Sequence, residues 1–124
     1  MNKLKVAIVE DDSIISQMYR TKFELEGFEV EVAGDGEAGV ALVREFAPDI
    51  VLLDVKMPNM NGDEALVEIR KHAWGKDVPV VVLTNTGKEE FSAVFKPLGI
   101  EDFVIKADCT PKDVVAKVKE VLGK

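Results

Sequence analysis

The sequence contains very little cysteine or histidine. Among its 124 residues, Cys109 is the only cysteine and His72 the only histidine. A single cysteine excludes an intrachain disulfide and a cysteine-rich metal site. We expect a structural role for His72 and no specific role for Cys109.

Basic residues and long apolar runs are also scarce. The chain has 16 Lys and Arg against 23 Asp and Glu, a formal net charge of −7, which argues against nucleic acid and anionic lipid as partners. No apolar run approaches the roughly 20 residues of a membrane span. The N-terminus lacks the apolar core of a signal peptide, so the cytoplasm is the expected location.

The length and the hydrophobic pattern predict one α/β domain over residues 1–124. Short apolar segments, typical of strands, alternate with amphipathic segments, typical of helices. The predicted strands cover residues 4–9, 28–33, 50–53, 78–83 and 103–105. The predicted helices cover residues 13–26, 36–46, 63–72 and about 88–95, and a fifth opens at Thr110. In the first helix, the candidate core residues are Ile14, Ile15, Met18, Phe23 and Leu25.

Five strands alternating with helices predict a doubly wound parallel sheet covered on both faces. Such sheets bind ligands outside the carboxyl ends of their strands. Four of the five predicted strands are followed by a polar or charged side chain at that end. These residues are Glu10, Asp11 and Asp12 after the first strand, Asp54 after the third, Thr84 after the fourth and Lys106 after the fifth. The second strand, ending at Ala33 and Gly34, contributes nothing obvious.

This set of side chains indicates phosphoryl chemistry. Several carboxylates can ionise together only if a cation offsets their repulsion, and Mg²⁺ prefers such oxygen ligands. A lysine and a hydroxyl beside one carboxylate suit a transferring phosphoryl group. Asp54 is the natural nucleophile, because it ends the central strand. The alternative is that the acids only cap helices, as Asp12 is expected to do.

Four motifs make the chain resemble the receiver domain of two-component response regulators over residues 3–122. They are VAIVEDD at 6–12, DVKMPNMNG at 54–62, VVVLT at 80–84 and FVIK at 103–106. The resemblance implies a flavodoxin-like (βα)5 fold with strand order 2-1-3-4-5. It also implies a signalling domain that catalyses only its own phosphorylation and dephosphorylation, not a separate enzyme.

The resemblance implies a role for each motif residue. Asp54 would accept a phosphoryl group from a histidine kinase or phosphotransfer protein. Glu10, Asp11, Asp54 and the backbone carbonyl of Lys56 would hold Mg²⁺, with Glu10 acting mainly through water. Thr84 and Lys106 would bind the phosphoryl oxygens. Thr84 and Phe103 would form the switch that alters the face made by the fourth predicted helix, the fifth strand and the fifth helix. That face would bind an unknown downstream protein.

The sequence also departs from the family pattern. Ala107 follows Lys106 where the family usually has proline, so we expect a trans 106–107 bond, since a cis bond before a non-proline residue costs about 3 kcal/mol. Lys56, Asn85 and Thr86 occupy positions that tune dephosphorylation in the family. We expect Lys56 and Asn85 to narrow the path of the attacking water and slow phosphate loss. Pro97 is expected to fray or kink the fourth helix.

Several alternatives stay open. The chain is either a stand-alone receiver, as the end at Gly123 and Lys124 favours, or a receiver cut from a longer regulator. It is expected to be a monomer, with dimer formation after phosphorylation left open. A phosphorylation-independent adaptor is a further alternative. A metal-dependent phosphatase or a flavodoxin fits less well, because neither the Asp-x-Asp pattern nor a flavin phosphate loop follows the first strand.

Overall fold

The five predicted strands form one parallel sheet. A computed structural model of the chain describes residues 3–85 and 95–124. Its strands are β1 (Lys5–Val9), β2 (Glu29–Ala33), β3 (Ile50–Asp54), β4 (Val80–Thr84) and β5 (Asp102–Ile105). They lie in the order β2-β1-β3-β4-β5, with every neighbouring pair parallel. The predicted fold class and strand order are therefore confirmed.

Four α-helices lie within the described ranges. They are α1 (Ser13–Leu25), α2 (Gly36–Phe46), α3 (Gly62–Arg70) and the C-terminal helix (Pro111–Leu122), and short 3-10 turns cover Lys96–Leu98 and Lys106–Asp108. The fourth predicted helix lies almost entirely outside the described residues. Pro97 lies in the first of these 3-10 turns, which ends at the left-handed Gly99. The 106–107 bond is trans, as predicted.

Helices cover both faces of the sheet, so its central strands are completely buried. Every residue of β3 and β4 is buried. On one face, the core includes Tyr19 and Phe23 of α1 and Val118 of the C-terminal helix. On the other face, it includes Val43 of α2 and Leu66 of α3. This two-sided burial explains the continuous apolar runs of the sequence.

The predicted core face of α1 is partly wrong. Phe23 is buried and Ile15 packs against the core, but Ile14, Met18 and Leu25 are 74%, 48% and 77% exposed. Tyr19 and Ser16 are buried in their place. Because a helix turns 100° per residue, the exposed three fall on one stripe and the buried residues on another. The helix has two apolar faces, and the hydrophobic pattern alone does not say which one meets the sheet.

Several element boundaries differ from the predicted ones by one or two residues. β3 and β4 extend to Asp54 and Thr84, so these residues pair within the sheet. β4 begins at Val80 and not at residue 78. α3 ends at Arg70, which places His72 in the following turn, stacked on Trp74 with ring centroids 4.7 Å apart. No helix in the described part of the chain has the length and apolarity needed to cross a membrane.

Candidate functional site

The carboxyl edge of the sheet carries a cleft of about 360 Å³. The residues that line it come from the ends of β1, β3, β4 and β5 and from the start of α1. They are Glu10, Asp11, Asp12, Ile15, Asp54, Val55, Lys56, Thr84, Asn85 and Lys106. The structure therefore brings together all four polar strand ends that the sequence singled out.

The three acids after β1 occupy three different environments. Glu10 is buried, with 2% of its surface exposed, whereas Asp11 is exposed. Asp12 is the N-cap of α1: its Oδ1 accepts hydrogen bonds from the backbone amides of Ile14 at 2.9 Å and Ile15 at 3.2 Å. The prediction that Asp12 caps the helix is thus confirmed, since a capping carboxylate satisfies the free amides of the first turn.

Asp54 lies at the floor of the cleft, where backbone groups of neighbouring residues fix its position. It ends β3 and is only 6% exposed. Its Oδ1 accepts a hydrogen bond from the Val55 amide at 2.9 Å. Gly62 packs directly against the Asp54 backbone, because a Cβ at position 62 would lie 2.1 Å from the Asp54 carbonyl oxygen. Only glycine permits this close approach, which explains its place in the DVKMPNMNG motif.

Lys106 reaches the same point from the end of β5. Its Nζ forms an ion pair with Glu10 and lies 3.1 Å from Asp54 Oδ1. The side chain of Lys106 is 9% exposed and that of Asp54 is 8% exposed. One buried ammonium thus links two buried carboxylates from different strands.

The charges of the site shift the pKa values of its members. The pKa of Asp54 is raised to about 7, first by burial and then by the hydrogen bond and negative charge of Glu10, while Lys106 acts in the opposite direction. Burial by itself would lower the pKa of Lys106, but the hydrogen bond to Glu10 and the charge of Asp54 outweigh it, and the net shift is upward. The site therefore holds more negative than positive charge and would gain from a further cation.

Three carboxylates are placed where one metal ion could contact them all. Glu10, Asp11 and Asp54 each offer a carboxylate oxygen, and these oxygens lie within 4.8 Å of one another. Hard oxygen ligands of this kind suit Mg²⁺, which takes few protein ligands and keeps several waters. The residues present therefore fit a magnesium site.

The remaining predicted site residues lie around the cleft or next to it. Thr84 is 2% exposed, while Asn85 and Lys56 are exposed at the rim. Phe103 is half-buried one strand away and packs edge-on against the buried Phe95, with ring centroids 6.0 Å apart. Thr86 lies outside the described residues.

Comparison with known proteins identifies this arrangement. The family model described as the response regulator receiver domain matches residues 6–119. The chain belongs to the receiver domain family of two-component response regulators. Receiver domains are signalling domains and not classical enzymes, they generally bind Mg²⁺, and they interact with histidine kinases and downstream effectors.

Curated relatives of this receiver include transcriptional regulators about twice its length. A probable transcriptional regulator ycf27 of Guillardia theta is 36% identical over 120 residues, which cover 97% of this chain and 46% of that protein. The phosphate regulon transcriptional regulatory protein PhoB of Rhizobium meliloti is 32% identical over 118 residues, which cover 95% of this chain and 52% of that protein. The chain thus spans about half the length of the curated relatives it matches.

Solved receiver structures superpose on the chain over nearly its whole length. The chemotaxis response regulator CheY4 of Vibrio cholerae is 28% identical, with a TM-score of 0.89 and coverage of 97% of this chain and 99% of that one. A CheY-like receiver domain protein from Methanospirillum hungatei is also 28% identical, with a TM-score of 0.89 and coverage of 98% and 95%.

Two features of the site were absent from the sequence analysis. Ile15 and Val55 line the cleft with apolar surface. Asp35 also contacts the site region, because its carboxylate accepts a hydrogen bond from Asn59 in the loop that follows β3. The first feature could have been inferred from the position of Ile15 in the first turn of α1. The second depends on a contact between residues 24 positions apart.

Proposed function

We propose that residues 1–124 form one receiver domain that acts as a phospho-accepting switch in the cytoplasm, with Asp54 as the acceptor. The observation that carries the proposal is the position of the Asp54 carboxylate. It lies in a cleft, 3.1 Å from a buried lysine and beside two further carboxylates. The receiver's own residues therefore offer both a nucleophile and groups that would stabilise a transferring phosphoryl group.

The reaction is a phosphoryl transfer from a phosphohistidine of a kinase or phosphotransfer protein. A carboxylate oxygen of Asp54 forms a bond to phosphorus, the bond between phosphorus and the imidazole nitrogen breaks, and its electron pair returns to the imidazole. Lys106 and Thr84 bind the phosphoryl oxygens. Val55 helps to orient the acceptor through its amide, which binds Asp54 Oδ1 at 2.9 Å.

Glu10, Asp11, Asp54 and the backbone carbonyl of Lys56 would hold Mg²⁺. When bound, the ion supplies positive charge to the transferring phosphoryl oxygens. Binding of a divalent cation also favours the ionised form of Asp54, which is the nucleophilic form. Glu10, which is ion-paired with Lys106, contributes to the site mainly by holding that lysine and through water.

Phosphorylation of Asp54 changes the positions of side chains on β4 and β5. Thr84 moves toward the phosphoryl oxygens, and Phe103 turns inward into the space it leaves. The edge-on contact between Phe103 and Phe95 would then change. This links the charge at Asp54 to the face that includes β5 and the C-terminal helix, where a downstream protein binds.

The exposed apolar stripe on α1 is the surface proposed to receive the phosphodonor protein. Ile14, Met18 and Leu25 line one groove together with Pro111. The stripe begins two residues after Asp12, at the mouth of the cleft, so a protein that reaches Asp54 would rest against it. The spacing of four and seven residues suits a helix of the donor packing along α1.

The first experiment tests Asp54 directly. The purified protein is incubated with Mg²⁺ and acetyl phosphate, and its intact mass is measured. We expect one added phosphoryl group that requires the metal and disappears in Asp54→Asn. A stable mass in the presence of bound Mg²⁺ and a phosphorylated histidine kinase would instead favour a phosphorylation-independent adaptor.

A second experiment tests the α1 surface. We expect the double variant Ile14→Gln, Met18→Gln to lower kcat/KM for transfer from a phosphorylated histidine kinase by roughly tenfold. Phosphorylation by acetyl phosphate should stay unchanged, because Ile14 and Met18 are not among the residues that line the cleft. Val67→Gln is the matched control, since Val67 is an exposed apolar residue of α3. Equal losses with both donors would contradict the proposed surface.

A further inference from the structure

The two ends of the loop between β3 and α3 are joined to each other by hydrogen bonds. The Gly62 amide donates a hydrogen bond to the Val55 carbonyl at 2.7 Å, and the Met57 amide donates to Asn61 Oδ1 at 3.3 Å. Val55 and Met57 are buried in the core. Lys56, which lies between these two residues, lines the cleft. The position of its backbone therefore depends on how firmly this loop is held.

The middle of the same loop is fastened by one long-range side-chain contact. Asn59 adopts a left-handed backbone conformation, with φ of 69°, and its Nδ2 donates a 2.8 Å hydrogen bond to Asp35 Oδ2. The other oxygen of Asp35 accepts from the Ala38 amide at 2.8 Å, as the N-cap of α2. Both carboxylate oxygens of Asp35 are thus in use, one for its helix and one for the loop.

The backbone of α2 also presses against this loop. A Cβ at Gly36 would lie 2.1 Å from the Met60 carbonyl oxygen, so the two backbones are in direct contact. α2 is itself fixed to the sheet through Val43, which is 1% exposed. The start of α2 is therefore a rigid support, and the bond between Asp35 and Asn59 attaches the loop to it.

We propose that Asn59 and Asp35 are positioning residues, which hold the loop so that the Lys56 carbonyl is correctly placed and thereby raise the affinity of the cleft for Mg²⁺. This inference rests on the proposed function, because it assumes that the cleft binds the metal through that carbonyl. Partners one step removed from a metal ligand commonly set its affinity by restricting its orientation.

Two variants remove the contact from opposite sides with little damage to the fold. Asn59→Gly deletes the amide and keeps the left-handed backbone, which glycine adopts readily. Asp35→Ser keeps a good N-cap for α2 but is too short to reach Asn59. Lys119→Gln is the matched control, because it removes an exposed 2.8 Å side-chain bond, to Glu26, on the side of the protein formed by α1 and the C-terminal helix.

The measurement is the Mg²⁺ dissociation constant of the full chain, obtained by titration with amide chemical shifts as the signal. We expect each loop variant to bind about tenfold more weakly, at the lower end of the range for such indirect partners. The double variant should bind no more weakly than either single one, because both remove the same contact. With acetyl phosphate, the Mg²⁺ requirement should rise by the same factor while the rate at saturating Mg²⁺ stays unchanged.

The outcomes separate this inference from the proposed function. If the wild-type protein binds Mg²⁺ and both loop variants bind it equally well, the positioning role is wrong and the proposed function stands. If the losses in the two single variants simply add, the contact between Asp35 and Asn59 is not their cause. If the wild-type protein binds no Mg²⁺, the proposed function itself is overturned, and the positioning role with it.

Discussion

The two ends of the sheet each hold a partly buried cationic side chain, Lys106 at the carboxyl end and Arg70 at the amino end, and the two have different kinds of partner. At the carboxyl end, Lys106 is paired with the buried carboxylates of Glu10 and Asp54. At the amino end, Arg70 donates to neutral backbone carbonyls, and the negative charges of Asp77 and Glu101 also act on it. Its guanidinium donates hydrogen bonds of 2.8–3.0 Å to the carbonyls of Gly75, Val78, Leu98 and Gly99.

The two cations differ in the groups that surround them: Arg70 binds carbonyl groups, whereas Lys106 binds carboxylates that repel each other. The four carbonyls around Arg70 belong to the turns that precede β4 and β5, and one side chain satisfies them all. The carboxylates around Lys106 repel each other, which is one reason why the pKa of Asp54 is raised. One end of the sheet therefore uses a cation to stabilise the fold, while the other concentrates negative charge that binding of a further cation would offset.

Replacing Arg70 should produce the largest change in stability. Arg70→Met removes four hydrogen bonds and leaves carbonyls from two turns without this donor, so we expect the free energy of unfolding to fall by about 3 kcal/mol. The measurement is chemical denaturation followed by circular dichroism. Because the residue is far from the cleft, the folded variant should still be phosphorylated by acetyl phosphate.

Arg70→Lys sharpens this prediction. A lysine keeps the charge but cannot reach the four carbonyls with the planar geometry of a guanidinium, so it should recover little of the lost stability. Full recovery by lysine would mean that charge, and not hydrogen bonding to the two turns, is what the amino end requires.

Replacing Asp54 should raise the free energy of unfolding, by less than the loss expected for Arg70→Met. The folded protein raises the pKa of Asp54 from its ordinary value of 3.8 to about 7. Its contribution to stability is therefore fully present below about pH 4 and is lost as the pH rises through 7. Asp54→Asn does not ionise, so without Mg²⁺ we expect it to be more stable than the wild type at pH 8 by about 2 kcal/mol, roughly half of what that pKa change would allow.

The pH dependence of unfolding tests whether ionisation of Asp54 destabilises the protein. Unfolding of the wild type and of Asp54→Asn is compared at pH 5 and at pH 8 in the presence of a chelator. The advantage of the variant should be larger at pH 8 and should shrink when Mg²⁺ is added to the wild type, because the cation stabilises the ionised carboxylate. An advantage that does not depend on pH would contradict the raised pKa.

The smallest expected effect concerns the rim of the charged end. Lys56 and Asn85 are both exposed at the cleft, where we expect them to narrow the path of a water molecule to phosphorylated Asp54. We expect Lys56→Ala, Asn85→Ala to shorten the phosphate lifetime by roughly threefold, about 0.7 kcal/mol in the barrier. The loss of phosphate is followed by mass after the donor is removed. An unchanged lifetime would show that these side chains do not control access.

Much of the carboxyl edge was predictable, because parallel strands deliver their last residues to one edge. The apolar runs end at or just before Glu10, Asp54, Thr84 and Lys106, and the structure brings all four side chains into one cleft. The local signals for helix starts were equally reliable. Asp12 and Thr110 each accept a hydrogen bond from the first turn of the helix they precede.

The sequence-based predictions were wrong where one local pattern is compatible with two different structures. In α1, the apolar residues form two stripes, and Ile14, Met18 and Leu25 were assigned to the wrong one. Val78 is β-branched and fits a strand, yet Pro79 has no backbone amide to donate, and β4 begins only at Val80. Such choices depend on what a segment packs against.

Periodicity, capping signals and motif spacing along the chain were enough to predict the family, the succession of the five strands, and the polar residues at the strand ends. The tertiary contacts were needed to establish which face of α1 meets the sheet, that Lys106 bridges Glu10 and Asp54, that Arg70 joins two turns, and that Asp35 binds Asn59. These contacts join residues far apart in the chain, or choose between two apolar faces, and no local pattern contains the distances that select them.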